Sequence, residues 1–154
     1  MTTLNNIKTR LAAIAATVSG IQRTYAEAPA SLPDADLPIL IPFAGPATFN
    51  KIAETLGEET RTFQLRLYVV HKQAGYPGEA EKTVEPFLTS VRDVFLAHPM
   101  LGLGQNAQLA FIEKSTFLGD SGIVVLPFAG EDYVGTEYKI AVTSITPITI
   151  AAFE

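Results

Sequence analysis

Thr60-Arg61-Thr62-Phe63-Gln64-Leu65-Arg66-Leu67-Tyr68-Val69-Val70-His71 is the stretch of sequence that decides the fold. Every second residue from Phe63 to Val69 is apolar, and the residues between them are largely polar. A period of two is the pattern of a β-strand that buries one face. The sequence therefore predicts a strand over residues 60–71 at the centre of a sheet.

Two amphipathic helices are predicted around this strand. Residues 3–19 carry apolar side chains at helical spacing, with Thr3 as the N-cap and Gly20 just past the C-terminus. After a turn at 75–78, a second helix is predicted from Glu79 to Ala97. Pro86 either kinks this helix or marks its true first turn.

The other strands are predicted as short runs between turn-forming residues. Residues 21–25 and 39–43 predict two of them, and the proline-rich stretch 28–38 between them predicts an ordered loop. Residues 44–59 predict a loop or an extended β-arm. Three further strands, at 108–117, 122–128 and 133–145, are predicted as an antiparallel meander with turns at 119–122 and 129–132. The prediction is one α+β domain over residues 1–154, with a mostly antiparallel sheet and two helices packed on one face.

Composition narrows the range of functions. Hydrophobic residues make up 47% of the 154 residues and charged residues 18%, against a usual charged share of about 25%, which favours a subunit that buries surface against neighbours. The net charge of -5 argues against a phosphate-binding surface. The absence of cysteine excludes disulfides, thiolate catalysis and cysteine-based metal sites. We predict neither a signal peptide nor a membrane span.

The tetrapeptide Gly119-Asp120-Ser121-Gly122 matches the sequence around the nucleophile of chymotrypsin-like serine proteases. Such a serine needs a histidine to accept its proton and an aspartate to orient that histidine. The sequence offers only His71 and His98, and turn chemistry explains the tetrapeptide more simply. A hairpin turn is therefore predicted, and a serine hydrolase that uses Ser121 stays open as an alternative.

The other candidate motifs also favour plain structural roles. Residues Gly102 to Ala107 match a nucleotide-binding fingerprint, but the match follows a helix and leads into a strand, which is the wrong context. Asp34 and Asp36 lack further carboxylates at calcium-ligand spacing. Neither His71 nor His98 has the partners of a metal site.

Three arginines are candidates for an anion site, but acids lie beside them in sequence, which favours ion pairs or subunit interfaces. Arg61 and Arg66 lie near Glu58 and Glu59, and Arg92 lies beside Asp93. We therefore predict no catalytic, cofactor-binding or metal-binding residues, and no enzymatic activity.

Several loose motifs along the chain carry a resemblance to a known family. They are the N-terminal helix ending near Gly20-Ile21, the loop from Ala28-Pro29 to Leu37-Pro38, the strand 61–69, the segment from Val84 to Phe95 with His98-Pro99, and the segment from Phe128 to Glu137. Read together, they resemble the tail terminator proteins of tailed bacteriophages, also called tail completion or neck proteins.

The resemblance implies a structural virion protein. It implies a homohexameric ring that caps the tail tube and joins it to the head-proximal connector. The implied partners are the tail tube protein and a head-completion or connector protein, and genomic DNA would pass through the channel without specific binding. The implied location is the tail or neck of the virion, with assembly in the host cytoplasm. Another head–tail connector or tube subunit is the alternative within the same class.

Overall fold

Strand β3 (Leu56–His71) lies between β2 (Ile39–Ala53) and β6 (Glu131–Pro147) in the middle of the sheet. The computed structural model describes residues 4–72, 77–101 and 112–151. Within these residues the sheet has six strands, in the order β1-β2-β3-β6-β4, and β5 also pairs with β6. The predicted central position of residues 60–71 is confirmed, because both edges of β3 are paired along most of its length.

The helices differ from their predicted bounds at the ends. Helix α1 (Leu4–Ala15) stops before residue 19, and turns carry the chain from there to Gly20, whose φ is +97°. Helix α2 (Pro77–Leu96) contains Pro86 in its interior, so the interpretation of Pro86 as the first turn was wrong. The proposed Thr3 cap lies outside the described residues, as do residues 75 and 76 of the predicted turn at 75–78, whereas residues 77 and 78 belong to α2 and not to a turn.

The sheet is mixed, and its C-terminal strands do not form the predicted meander. Strand β1 (Arg23–Thr24) runs parallel to β2, and the other described pairs are antiparallel. Strands β4 (Ile112–Asp120) and β5 (Val124–Phe128) both pair with β6, along residues 138–144 and 131–135. They therefore lie end to end on one edge of β6.

The backbone at the two predicted turns explains why β4 and β5 do not pair with each other. At Ser121 the chain stays beside β6, because the Ser121 N–H donates to the Glu137 carbonyl at 2.9 Å; the prediction of a hairpin turn at 119–122 was wrong. At Ala129-Gly130 both φ angles are positive, +51° and +84°, which suits a two-residue hairpin turn. The predicted turn at 129–132 is confirmed there, between β5 and β6.

Two buried clusters form the core. The first combines apolar residues of α1 and α2 with Phe63, Leu65, Leu67 and Val69 of β3 and with residues of β2, β4 and β6. The second contains Tyr68 of β3, together with Leu32 from the proline-rich loop and Tyr133. Successive side chains of a strand point to opposite faces, so Leu67 and Tyr68 reach different clusters. The Tyr138 hydroxyl donates to the Phe87 carbonyl at 2.6 Å and ties β6 to α2.

Leu67 provides the sharpest test of this core. Leu67→Ala should lower the free energy of unfolding by about 2–5 kcal/mol, because a fully buried leucine leaves a cavity when truncated. Denaturant titration measures the loss. Leu118→Ala, at a side chain that is 55% exposed, is the matched control and should change stability by less than about 0.5 kcal/mol. An equally small effect of Leu67→Ala would contradict the central position of β3.

Candidate assembly surface

Strands β2 and β3 form a hairpin, and the part of it farthest from the core carries exposed apolar side chains. We call residues 44–57, where β2 and β3 meet through Glu54 and Thr55, the arm. Phe49, Ile52 and Leu56 are 57%, 49% and 39% exposed there. Apolar side chains grouped on a projecting element are typical of protein–protein contact sites. Of the two predictions for residues 44–59, the extended β-arm is confirmed and the loop is not.

The arm is held by its own contacts. Strand β6 runs beside it up to the pair Leu56–Pro147, so the β3 side of the arm is paired with a third strand. The Arg61 guanidinium at its base donates to the Gly45 carbonyl at 2.8 Å and to Glu59 at 2.9 Å. The Phe49 ring packs where a side chain on Gly57 would lie, so a larger residue at position 57 would displace the ring. An arm ordered before binding loses little conformational entropy on contact.

A shallow apolar groove lies between the first turns of α2 and the β5–β6 hairpin. Its volume is about 260 Å³. The lining includes Ala80, Ile123, Val125 and Val134, of which Val125 is 47% exposed. Lys72 and Glu81 also line it and provide one cation and one anion. We call this feature the α2–β5 groove.

The sheet face that includes Arg66 carries polar residues beyond the second cluster. Arg66 and Glu137 are register partners on β3 and β6, and their side chains meet at 2.8 Å. The Arg66 guanidinium also lies 4.8 Å from the centre of the Phe43 ring. Nearer the arm, the Thr60 and Thr143 hydroxyls lie 2.9 Å apart. This arrangement pairs charges across strands and leaves few apolar side chains on this part of the face.

Two carboxyl groups meet on the same face near the arm. A hydrogen bond from Glu58 to the Glu113 carboxylate, together with the charge of that carboxylate, raises the pKa of Glu58, and Lys114 partly opposes the shift. Sequence reasoning missed this pair, because Glu58 lies on β3 and Glu113 on β4, with β6 between them. Only the strand register brings them together.

Ser121 is built into the sheet edge. Its hydroxyl accepts a hydrogen bond from the Glu137 N–H and donates to the Gly122 carbonyl, both at 3.0 Å. The Asp120 carboxylate accepts from the Gly122 N–H at 2.7 Å. Both side chains of this small network, Ser121 and Asp120, therefore bond to nearby backbone groups.

The two histidines lie in other parts of the fold. His98 bonds through Nδ1 to the Val94 carbonyl at the end of α2, at 2.8 Å. His71 lies at the end of β3, with its Nε2 3.2 Å from a Glu131 carboxylate oxygen. The structure therefore does not bring either histidine into a described hydrogen bond with Ser121.

His71, Glu131 and Tyr133 form a cluster that sequence reasoning did not single out. The Tyr133 hydroxyl donates to Glu131 at 3.1 Å, and the ring meets His71 edge-on. Burial, then the hydrogen bond to Glu131, raises the pKa of Tyr133. A cavity of about 450 Å³ adjoins His71 and Glu131. Tyr133 also reaches the Leu32 carbonyl at 3.5 Å, so the cluster links the β5–β6 hairpin to the proline-rich loop.

The remaining sequence candidates lie apart. Arg61 pairs with Glu59, and Arg92 with Asp93, as predicted, whereas Arg66 pairs with Glu137 across strands instead of with a sequence neighbour. Asp34 and Asp36 lie in a short 3-10 turn of the proline-rich loop. The Gly102–Ala107 motif lies outside the described residues.

Residues 4–72, 77–101 and 112–151 hold no group of three or more histidine, aspartate or glutamate side chains arranged to bind a metal ion. Neither helix in these ranges combines the length and the apolar character needed to cross a membrane.

Comparison with known proteins gave no matching family model and no matching curated protein.

Ser121→Ala tests the role of this serine. We expect a loss of about 0.5–1.5 kcal/mol in the free energy of unfolding, because the Glu137 N–H loses its side-chain acceptor. We also expect no reaction of the unmodified protein with a serine-directed phosphonate. Labelling that disappears in Ser121→Ala would instead support the hydrolase alternative, and intact-mass spectrometry detects it.

The Glu58–Glu113 pair predicts a pH dependence of stability. A carboxyl whose pKa is raised in the folded state favours folding at low pH, and this contribution is lost as the pH rises through the raised pKa. Glu113→Gln should therefore increase stability at neutral pH and flatten the fall in stability above the usual glutamate pKa. Denaturant titrations across this range measure the effect, with Glu85→Gln, at an exposed position on α2, as the control. Lower stability of Glu113→Gln at neutral pH would contradict it.

Proposed function

We propose that the protein is a structural subunit that assembles with copies of itself into a ring. In this proposal the ring is a homohexamer that caps a phage tail tube and joins it to the head-proximal connector. The tail tube protein and a head-completion or connector protein are its partners, and the tail or neck of the virion is its location. The observation that carries the assembly part is the arm with its exposed Phe49, Ile52 and Leu56. The tail-terminator part rests on the sequence resemblance.

Energetics favour many arm contacts over a single one. Fully burying a large apolar side chain gains about 1.5–3 kcal/mol, and association costs about 4–15 kcal/mol in lost freedom of motion. One arm-sized contact is therefore weak. In a closed ring each subunit makes two such contacts, and the last contacts form within one particle, which strengthens the whole assembly.

We also infer that α1 and α2 lie side by side on one face of the sheet. Residues of both helices share a buried cluster with Phe63, Leu65 and Leu67 of β3. These β3 side chains leave the strand on one side because their spacing is two residues. In the ring, this would leave the opposite, polar face around Arg66 and Glu137 for solvent or partners.

The charge balance is compatible with a channel that DNA passes through. The net charge of -5 disfavours strong phosphate binding along the channel, which would otherwise slow the passage of the genome. In this proposal the protein acts without catalysis and binds no cofactor. Other head–tail connector or tube subunits would share this charge balance, so ring size distinguishes the candidates.

Removal of the arm tests the proposed ring. The full-length protein, alone or mixed with tail tubes, should form six-copy rings in native mass spectrometry and electron micrographs. Deletion of residues 46–56 should abolish these rings, while the remaining domain still unfolds cooperatively because the buried clusters contain no residue of the deleted segment.

A point variant separates loss of the surface from loss of the strand. Ile52→Ser removes an apolar side chain that is 49% exposed and should weaken assembly while leaving stability nearly unchanged, and Thr48→Ser on the same strand is the control. If the full-length protein stays monomeric both alone and with tail tubes, the ring proposal is wrong.

A further inference from the structure

The arm and the α2–β5 groove lie at opposite ends of the same pair of strands. At the arm, Leu56 of β3 pairs with Pro147 of β6, and beside the groove Val70 pairs with Val134. Fourteen residue steps of β3 separate the two pairs, which is about 45 Å along a strand. The arm therefore does not reach the groove of its own chain, and any contact between them joins two copies.

The groove is matched in size and polarity to the tip of the arm. A volume of about 260 Å³ accepts one large apolar side chain with part of a second. Its lining is mainly aliphatic, and Val125 remains 47% exposed at its surface. At the tip, Ile52 is 49% exposed and Phe49 is 57% exposed, so both surfaces have apolar area left to bury.

The charges on the two surfaces are complementary as well. Lys51 and Glu54 at the tip lie 3.5 Å apart in an exposed pair. Exposed pairs of this kind contribute about 0–1 kcal/mol, so each partner can exchange at little cost. The groove offers Glu81 for the lysine and Lys72 for the glutamate, and such pairs at the edge of an apolar contact fix its orientation.

We propose that the arm of one subunit docks in the α2–β5 groove of the next copy of this chain, with Ile52 and Phe49 entering the groove. The contact is heterologous, because two different surfaces meet, and heterologous contacts generate rings when the rotation closes. This inference rests on the proposed ring and identifies the contact that builds it.

Cysteine cross-linking tests the contact directly, since the chain contains no cysteine. The double variant Ile52→Cys, Val125→Cys is oxidised in the assembled state and run on a denaturing, non-reducing gel. Disulfides form only when the two Cα atoms come within about 7 Å, so docking should give a ladder of cross-linked copies. The control is Ile52→Cys, Leu118→Cys, because Leu118 is similarly exposed, at 55%, but does not line the groove.

The outcomes separate this inference from the proposed function. About tenfold more cross-linking between positions 52 and 125 than between 52 and 118 would support docking, since random collisions affect both pairs alike. Rings with equally low cross-linking in both variants would refute the groove contact and leave the ring standing. A chain that stays monomeric in the unmodified protein would refute both proposals.

Discussion

The pairing of β3 with β2 and β6 is the constraint on which the rest of the structure depends. β3 is 16 residues long, and the two buried clusters use only its second half, from Phe63 onward. The first half continues as a paired strand whose own side chains belong to neither cluster. The arm therefore follows from a strand pair that is longer than the region the two buried clusters cover.

The central strand could be predicted from the sequence because its period of two is unbroken from Phe63 to Val69. The arm could not be predicted with the same clarity. Register shifts between Ala44 and Ala47, and between Lys51 and Ala53, interrupt the alternation of β2, and bulges of this kind place an extra residue in one strand. Phe49, Ile52 and Leu56 are then spaced by three and four residues, which imitates a helical turn.

Turn chemistry and register explain the other differences. Glycine, aspartate and serine suit a hairpin turn, but they also suit a short break between β4 and β5 on one edge. The choice between a hairpin turn and a short break depends on whether Ser121 bonds to Glu137. Glu137 lies 16 residues away in sequence. The pairs Arg66–Glu137 and Glu58–Glu113 likewise depend on register, which a sequence without its partner strands does not determine.

A contact between the arm and the groove would make the geometry of β3 and β6 responsible for the size of the assembly. Both surfaces are attached to the same two strands, so the angle between them is set by the twist of these strands and by the irregularity between Tyr68 and Val70. Bulges increase local twist and bend a strand. In a heterologous assembly the angle between the two surfaces decides whether copies close into a ring or continue as an open filament. A change in register at Val69 would thus alter assembly without touching either surface.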